Sequence, residues 1–139
     1  MSLDKTNKLL FIGLMAENRK KHILIVEDSP DLQHLLNQLF SKEGYTTSKA
    51  FDGQQALEWL RKTQDLPDLI FLDIMMPVMD GFEFRYQQMK DPRLAGIPVV
   101  VMTADSNSQL KAHNLGTEVI RKPILDIDVL LDVASRLMA

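Results

Sequence analysis

The sequence predicts an α/β protein built on a five-stranded parallel sheet, doubly wound, with strand order 2-1-3-4-5. Three observations carry that prediction. Short apolar runs alternate with longer amphipathic stretches across residues 22–139, the βαβα pattern that calls for a parallel sheet with helices on both faces. Several of the runs are apolar throughout, as strands covered on both faces are. Right-handed crossovers with a single switch in direction then favour the order 2-1-3-4-5.

The elements follow in order. His22 to Val26 (HILIV) is a β-branched, apolar strand that stops at Glu27-Asp28. Ser29-Pro30-Asp31 supplies an N-cap, a proline at the first helical position and an acid in the first turn. The helix behind it carries the stripe Leu32, Leu35, Leu36, Leu39 and Phe40, and Gly44 ends it. Tyr45 to Ala50 is a more polar strand suited to the sheet edge. After the turn at Asp52-Gly53, a second helix presents Ala56, Leu57, Trp59 and Leu60. Leu69 to Leu72, bounded by Pro67 and Asp68, reads as a buried strand that ends at Asp73. The loop MMPVMDG leads to a third helix with Phe82, Arg85, Tyr86 and Met89 on neighbouring turns, closed by Asp91-Pro92. Val99 to Met102 delivers Thr103. A polar helix over Asp105–Asn114 stops near Gly116, and the strand Val119–Arg121 ends at Lys122-Pro123. Ile127, Leu130, Leu131, Ala134, Leu137 and Met138 mark the last buried face. No repeat, linker or low-complexity tract interrupts residues 22–139, which form one domain behind an N-terminal extension, residues 1–21.

Composition narrows the function. A chain of 139 residues, 45% hydrophobic and 25% charged, has the make-up of an ordinary globular domain. At that size it buries roughly two thirds of its unfolded surface. A net charge of -3 gives no electrostatic case for nucleic acid. The absence of cysteine excludes disulfides, thiolate metal sites and Cys nucleophiles together. Leu9 to Met15 falls far short of the ~20 residues that span a bilayer. It follows Asp4, Lys5 and Lys8 in the manner of a signal peptide, but no A-x-A-like site comes after it, so a short helix or a partly ordered extension ahead of the domain is the expectation.

Four strands end in polar groups that the topology brings to one sheet edge: Glu27 and Asp28, then Asp73, Thr103 and Lys122. Taken singly these read as helix-start acids, a turn hydroxyl and a strand end. Together they crowd three carboxylates, which raise one another's pKa unless a cation intervenes. A hard divalent ion with oxygen ligands, most naturally Mg²⁺, resolves that repulsion. His22, His34 and His113 stand at no ligand spacing and read as surface or boundary residues, and packing accounts for Met75, Met76 and Met79.

The acidic pair Glu27-Asp28, Asp73 within LDIMMPVMDG, Thr103-Ala104 and Lys122-Pro123 together resemble the receiver domains of two-component response regulators, the CheY-like family with its flavodoxin-like fold. The resemblance covers about residues 22–138 and implies that Asp73 accepts a phosphoryl group from a sensor histidine kinase, a histidine phosphotransfer protein or a small phosphodonor. It further implies that Asp28, Asp73 and the main-chain carbonyl of Met75 bind Mg²⁺ or Mn²⁺ directly, with Glu27 acting mostly through water. Lys122 would supply a second cation to the phosphoryl oxygens, Thr103 a hydroxyl hydrogen bond, and Ala104 the necessary room. Such a protein is cytoplasmic, catalyses only its own phosphorylation and dephosphorylation, and acts by switching an output partner that the residues do not identify, with no nucleic acid or membrane engaged by this chain. Some positions depart from the family pattern. Val119 replaces an aromatic switch residue, the Gly116–Lys122 interval is one residue short, and the Thr103–Gly116 segment is shortened, all of which bear on the output face. Met75 and Asp105 lie where the family tunes hydrolysis, and imply a phosphorylated state of intermediate lifetime. A haloacid dehalogenase-like phosphatase is the alternative, since it also uses a strand-end Asp, a Thr, a Lys and acids around Mg²⁺. That chemistry wants a second Asp two residues after the nucleophile, and Met75 stands there. It also wants a cap domain. A docking receiver that is never phosphorylated is opposed by the complete set Asp28, Asp73, Thr103 and Lys122.

Overall fold

Strands β1 (His22–Val26), β2 (Thr46–Ala50), β3 (Leu69–Asp73), β4 (Val99–Thr103) and β5 (Glu118–Arg121) pair in parallel in the order β2-β1-β3-β4-β5, as predicted. The structure is a computed structural model that describes residues 5, 7–10, 19–115 and 117–139. Each strand is followed by a helix: α1 (Pro30–Lys42), α2 (Gly53–Lys62), α3 (Gly81–Lys90), α4 (Ser106–Asn114) and α5 (Ile127–Leu137).

Side chains alternate across a strand, so the sheet feeds two cores. Leu24, Val26, Ile70, Leu72, Val99 and Val101 pack with Ala56, Leu57 and Leu60 of α2 and Phe84 of α3. Ile23, Ile25, Leu69, Phe71, Val100 and Met102 face the other way, onto Leu36 and Phe40 of α1 and Leu130 and Ala134 of α5. Burial on both faces is why β3 and β4 carry no polar residue before their last. β2 has one neighbour, and its polar sequence is half-exposed.

Local chemistry sets the ends of α1. Ser29 Oγ accepts from the Leu32 N–H at 3.3 Å, and Pro30 opens the helix. At the far end Gly44 adopts φ 89°, and the N–H groups of Gly44 and Tyr45 donate to the carbonyls of Ser41 and Phe40, both at 3.1 Å. This termination needs a left-handed residue, which glycine adopts without a Cβ penalty.

Hydropathy misassigns part of three helix faces. On α1, Leu35 is 49% exposed, whereas Gln33 is buried. The Gln33 side-chain amide donates to the carbonyls of Ile25 at 3.0 Å and Ala50 at 3.1 Å, beyond the reach of any leucine. Its own oxygen accepts from Asn37 Nδ2 at 2.8 Å. Gln33→Leu is expected to lower the unfolding free energy by about 2 kcal/mol, since it strands buried polar partners; urea denaturation measures it. On α3, Gly81, Phe84 and Gln88 face inward, while Tyr86 and Met89 are half-exposed and Lys90 Nζ lies 4.4 Å from the Tyr86 ring centre. Gln88 is inside because its amide donates to the carbonyls of Leu94 and Ile97. On α5, Val133 is buried with Leu130, Ala134 and Met138, and Ile127, the first helical residue, is exposed.

His34 and His113 are exposed; His22 is half-buried, stacks on Trp59 at 6.0 Å, and meets the hydroxyls of Thr46 and Ser48. Arg19 pairs with Asp65 at 2.6 Å and Asp68 at 3.1 Å, tying the start of the domain to the turn before β3. Residues 5 and 7–10 are helical and exposed. The rest of the Leu9–Met15 run, and Gly116 as the predicted stop after α4, lie outside the described residues. No helix among the described residues is long and apolar enough to cross a membrane.

Candidate functional site

The strand alternation that builds the second core continues past the strand ends. Ile23, Ile25 and then Glu27 share one phase, as do Leu69, Phe71 and Asp73, and Ile120 and Lys122. Val26 and Leu72 are register partners, which sets Glu27 and Asp73 side by side. Glu27 and Asp73 are buried and Asp28 is exposed; one carboxylate oxygen from each of the three lies within 4.8 Å of the others. Lys122 Nζ stands 2.5 Å from Glu27 Oε1 and 3.3 Å from Asp73 Oδ2.

Backbone donors complete the shell. The Ser29 N–H donates to Glu27 Oε2 at 3.0 Å, and the Met75 N–H to Asp73 Oδ1 at 3.4 Å. Thr103 is buried at the same edge but in the opposite phase. Its hydroxyl oxygen accepts from the Asp105 N–H at 3.2 Å, and its carbonyl from the Lys122 N–H at 3.0 Å. The Lys122–Pro123 peptide is cis.

Burial pushes the Glu27 carboxyl up to about 7, against the opposing hydrogen bonds of Lys122 and Ser29. Burial also raises Asp73, again against Lys122. Burial alone would lower Lys122, but its hydrogen bond to Glu27 and the charge of Asp73 prevail and raise it. A carboxyl whose folded pKa is raised binds a proton that the unfolded chain has already released. Its contribution is complete below the ordinary carboxylate value and is lost as pH rises through the folded value. In metal-free buffer, the share of stability owed to Glu27 therefore declines from about pH 5 to about pH 8. Urea midpoints across that range are expected to slope less for Glu27→Gln than for the parent protein.

The loop after β3 is held from several sides. The Met79 N–H donates to the Pro77 carbonyl at 2.7 Å around Val78, whose φ is 68°, a γ-turn that a β-branched residue adopts only under strain. The Gly53 N–H donates to the Met79 carbonyl at 3.1 Å and the Gly81 N–H to the Ile74 carbonyl at 2.9 Å. A Cβ on Gly81 would lie 2.7 Å from the Asp73 carbonyl oxygen, so this glycine lets α3 start directly against the candidate nucleophile. In the sequence Asp80-Gly81 shows only as the end of the loop MMPVMDG that leads to this helix.

Asp105 proves to be the N-cap of α4. Its carboxylate accepts from Ser108 Oγ at 2.8 Å and from the N–H groups of Ser108 and Asn107, which hold it below the usual carboxylate range. Both of its carboxylate oxygens are thereby engaged with the first turn of α4. Val119 is half-buried against the first core and lines an apolar groove with Pro123, Leu125 and Val129.

Three carboxylates and an ammonium at one strand edge suit charge neutralisation around a transferred anionic group, with oxygen donors of the kind a hard divalent ion takes. Comparison with known proteins agrees with that chemistry. Residues 23–134 match the family model for the response regulator receiver domain. The chain is 32% identical over 120 residues to the response regulator GtcR of Aneurinibacillus migulanus, a match covering 84% of this chain and 48% of that protein. It is 36% identical over 117 residues to sporulation initiation phosphotransferase F of Bacillus subtilis, covering 82% of this chain and 90% of that one. The signal receiver domain of a signal transduction histidine kinase from Syntrophus aciditrophicus shares its fold with a TM-score of 0.77 at 34% identity, covering 85% and 89% of the two chains. The chain thus spans about half the length of the first of these relatives. None of these matches favours the phosphatase alternative.

Proposed function

The chain belongs to the response regulator receiver domain family, and from that membership we propose that Asp73 is its phosphoacceptor, served by Lys122 and Thr103. The observation that carries the proposal is the gathering of Glu27, Asp28, Asp73 and the Lys122 ammonium at one edge of the sheet. In the reaction, an Asp73 carboxylate oxygen attacks phosphorus while the bond to the donor's histidine nitrogen breaks, and that nitrogen keeps the electron pair. Positioning and charge neutralisation do nearly all the work in such a transfer. Lys122 is already within 3.3 Å of the acceptor and needs only to shift from Glu27 to meet the incoming oxygens. Thr103, whose hydroxyl oxygen now accepts from the Asp105 N–H, turns its proton to the phosphoryl group.

The donor set fits Mg²⁺ or Mn²⁺: clustered carboxylates, oxygen atoms throughout, and no thiolate or imidazole. Asp28, Asp73 and the Met75 carbonyl would hold the ion, with Glu27 reached through water. When bound, the ion supplies positive charge to the phosphoryl oxygens; the receiver domain of sensor histidine kinase PA1611 of Pseudomonas aeruginosa holds a magnesium ion in its active site cleft. The chain acts as a cytoplasmic signalling domain that catalyses only its own phosphorylation and dephosphorylation. Its donor is a histidine kinase or phosphotransfer protein. Residues 22–139 are the receiver and 1–21 an extension ahead of it, a division supported by the family match over 23–134.

The test uses the full chain, acetyl phosphate and Mg²⁺. Mass spectrometry is expected to find a single phosphoryl adduct, labile to hydroxylamine and absent when EDTA replaces the metal. Steady turnover of added phosphomonoesters would count for a phosphatase instead.

A further inference from the structure

The loop that follows the phosphoacceptor holds three methionines within five residues, Met75, Met76 and Met79, and the fold treats them differently. Met76 and Met79 pack against the first core; Met75 is 66% exposed. Met79 is further pinned, with its side chain against Gly53 and its carbonyl accepting the Gly53 N–H. Met75 is anchored through its backbone N–H on Asp73 Oδ1, so its thioether stands in solvent within one side chain's reach of the carboxylate.

We infer that Met75 is a modification site, oxidised by hydrogen peroxide to the sulfoxide, and that this oxidation shortens the life of the phosphorylated domain. The sulfur lone pair attacks one peroxide oxygen, the O–O bond breaks, and the other oxygen leaves as water. Sulfur loses two electrons and the peroxide gains them. An apolar side chain becomes a polar one with a strong acceptor oxygen, and the change is reversible by sulfoxide reductases. Beside an acyl phosphate on Asp73 the two states act differently. A thioether is a weak acceptor and cannot orient water, whereas a sulfoxide oxygen can take a hydrogen bond from a water aimed at phosphorus. Met76 and Met79 are shielded by packing from the same reagent, which gives the site its selectivity. Among the described residues Met89 is the other exposed methionine, and it lies on the outer face of α3, away from the acids.

The inference rests on Asp73 being the phosphoacceptor. The 139-residue chain is oxidised with hydrogen peroxide, freed of reagent, and mapped by peptide mass spectrometry. It is then phosphorylated with acetyl phosphate and Mg²⁺, and phosphate release is followed after the donor is removed, each variant being compared with its own untreated form. Sulfoxide is expected at Met75 ahead of Met76 and Met79, with release accelerated about three- to tenfold, as one added hydrogen bond to the attacking water would give. Met89→Leu keeps the peroxide response and Met75→Leu loses it, while Met75→Gln releases phosphate faster than the parent with no peroxide added. Acceleration that persists in Met75→Leu overturns the inference, as does an unchanged rate with Met75 fully oxidised. A protein that takes up no phosphoryl group before peroxide is added fails at Asp73 itself, an outcome read separately.

Discussion

Asp73→Asn is expected to abolish phosphoryl uptake while leaving the protein folded. The amide matches the carboxylate in shape but has no anionic oxygen to attack phosphorus. Its neutrality removes one of two buried carboxylates, and burial already disfavours the charge on this one. Metal-free stability is therefore expected to hold or rise slightly, and the stabilisation that Mg²⁺ confers by binding the native state is expected to shrink. Mass spectrometry after acetyl phosphate treatment and urea denaturation with and without Mg²⁺ measure the two halves. A surviving hydroxylamine-labile adduct in this variant would place the acceptor elsewhere.

Gly81→Ala carries the second large effect, and it couples stability to the site. The added Cβ would sit 2.7 Å from the Asp73 carbonyl oxygen, 2.8 Å from Ile74 Cα and 2.8 Å from Ile74 Cδ1. Two of those three atoms are backbone at the end of a fully buried strand, so relief must come from moving α3 or the strand end. Overpacking of this kind costs about 1–3 kcal/mol. The displaced atoms adjoin the proposed phosphoacceptor, so phosphorylation by acetyl phosphate is expected to slow in the same variant. Gly96→Ala, whose added Cβ meets nothing within 4 Å, is the matched control and should leave both readings unchanged.

The framework was legible because its signals are local. Within residues 22–139 each predicted strand formed within a residue or so of its predicted ends, and Glu27, Asp28 and Asp73, which follow or close the first and third strands, meet at the sheet edge. Glu27, Asp28, Asp73 and Lys122 come together because the strand order was legible too. What escaped is where a polar side chain serves distant backbone. Gln33 and Gln88 are buried because carbonyls outside their own helices need their amides, a demand invisible to hydropathy. Gly81 escaped for a related reason: its neighbour at close range is an earlier strand, and spacing alone records no such approach. Asp105 caps α4, a duty that its place two residues after Thr103 does not announce.

The shared phase of Glu27, Asp73 and Lys122 with the core residues behind them makes the charge cluster a matter of counting. Because alternate side chains leave a strand on opposite sides, adding or deleting one residue between Ile120 and Lys122 would swing the ammonium to the far side of the sheet, even with composition and length nearly intact. Insertions in the connections between strands carry no such penalty. The two-step spacing from Ile120 to Lys122 is therefore fixed by parity.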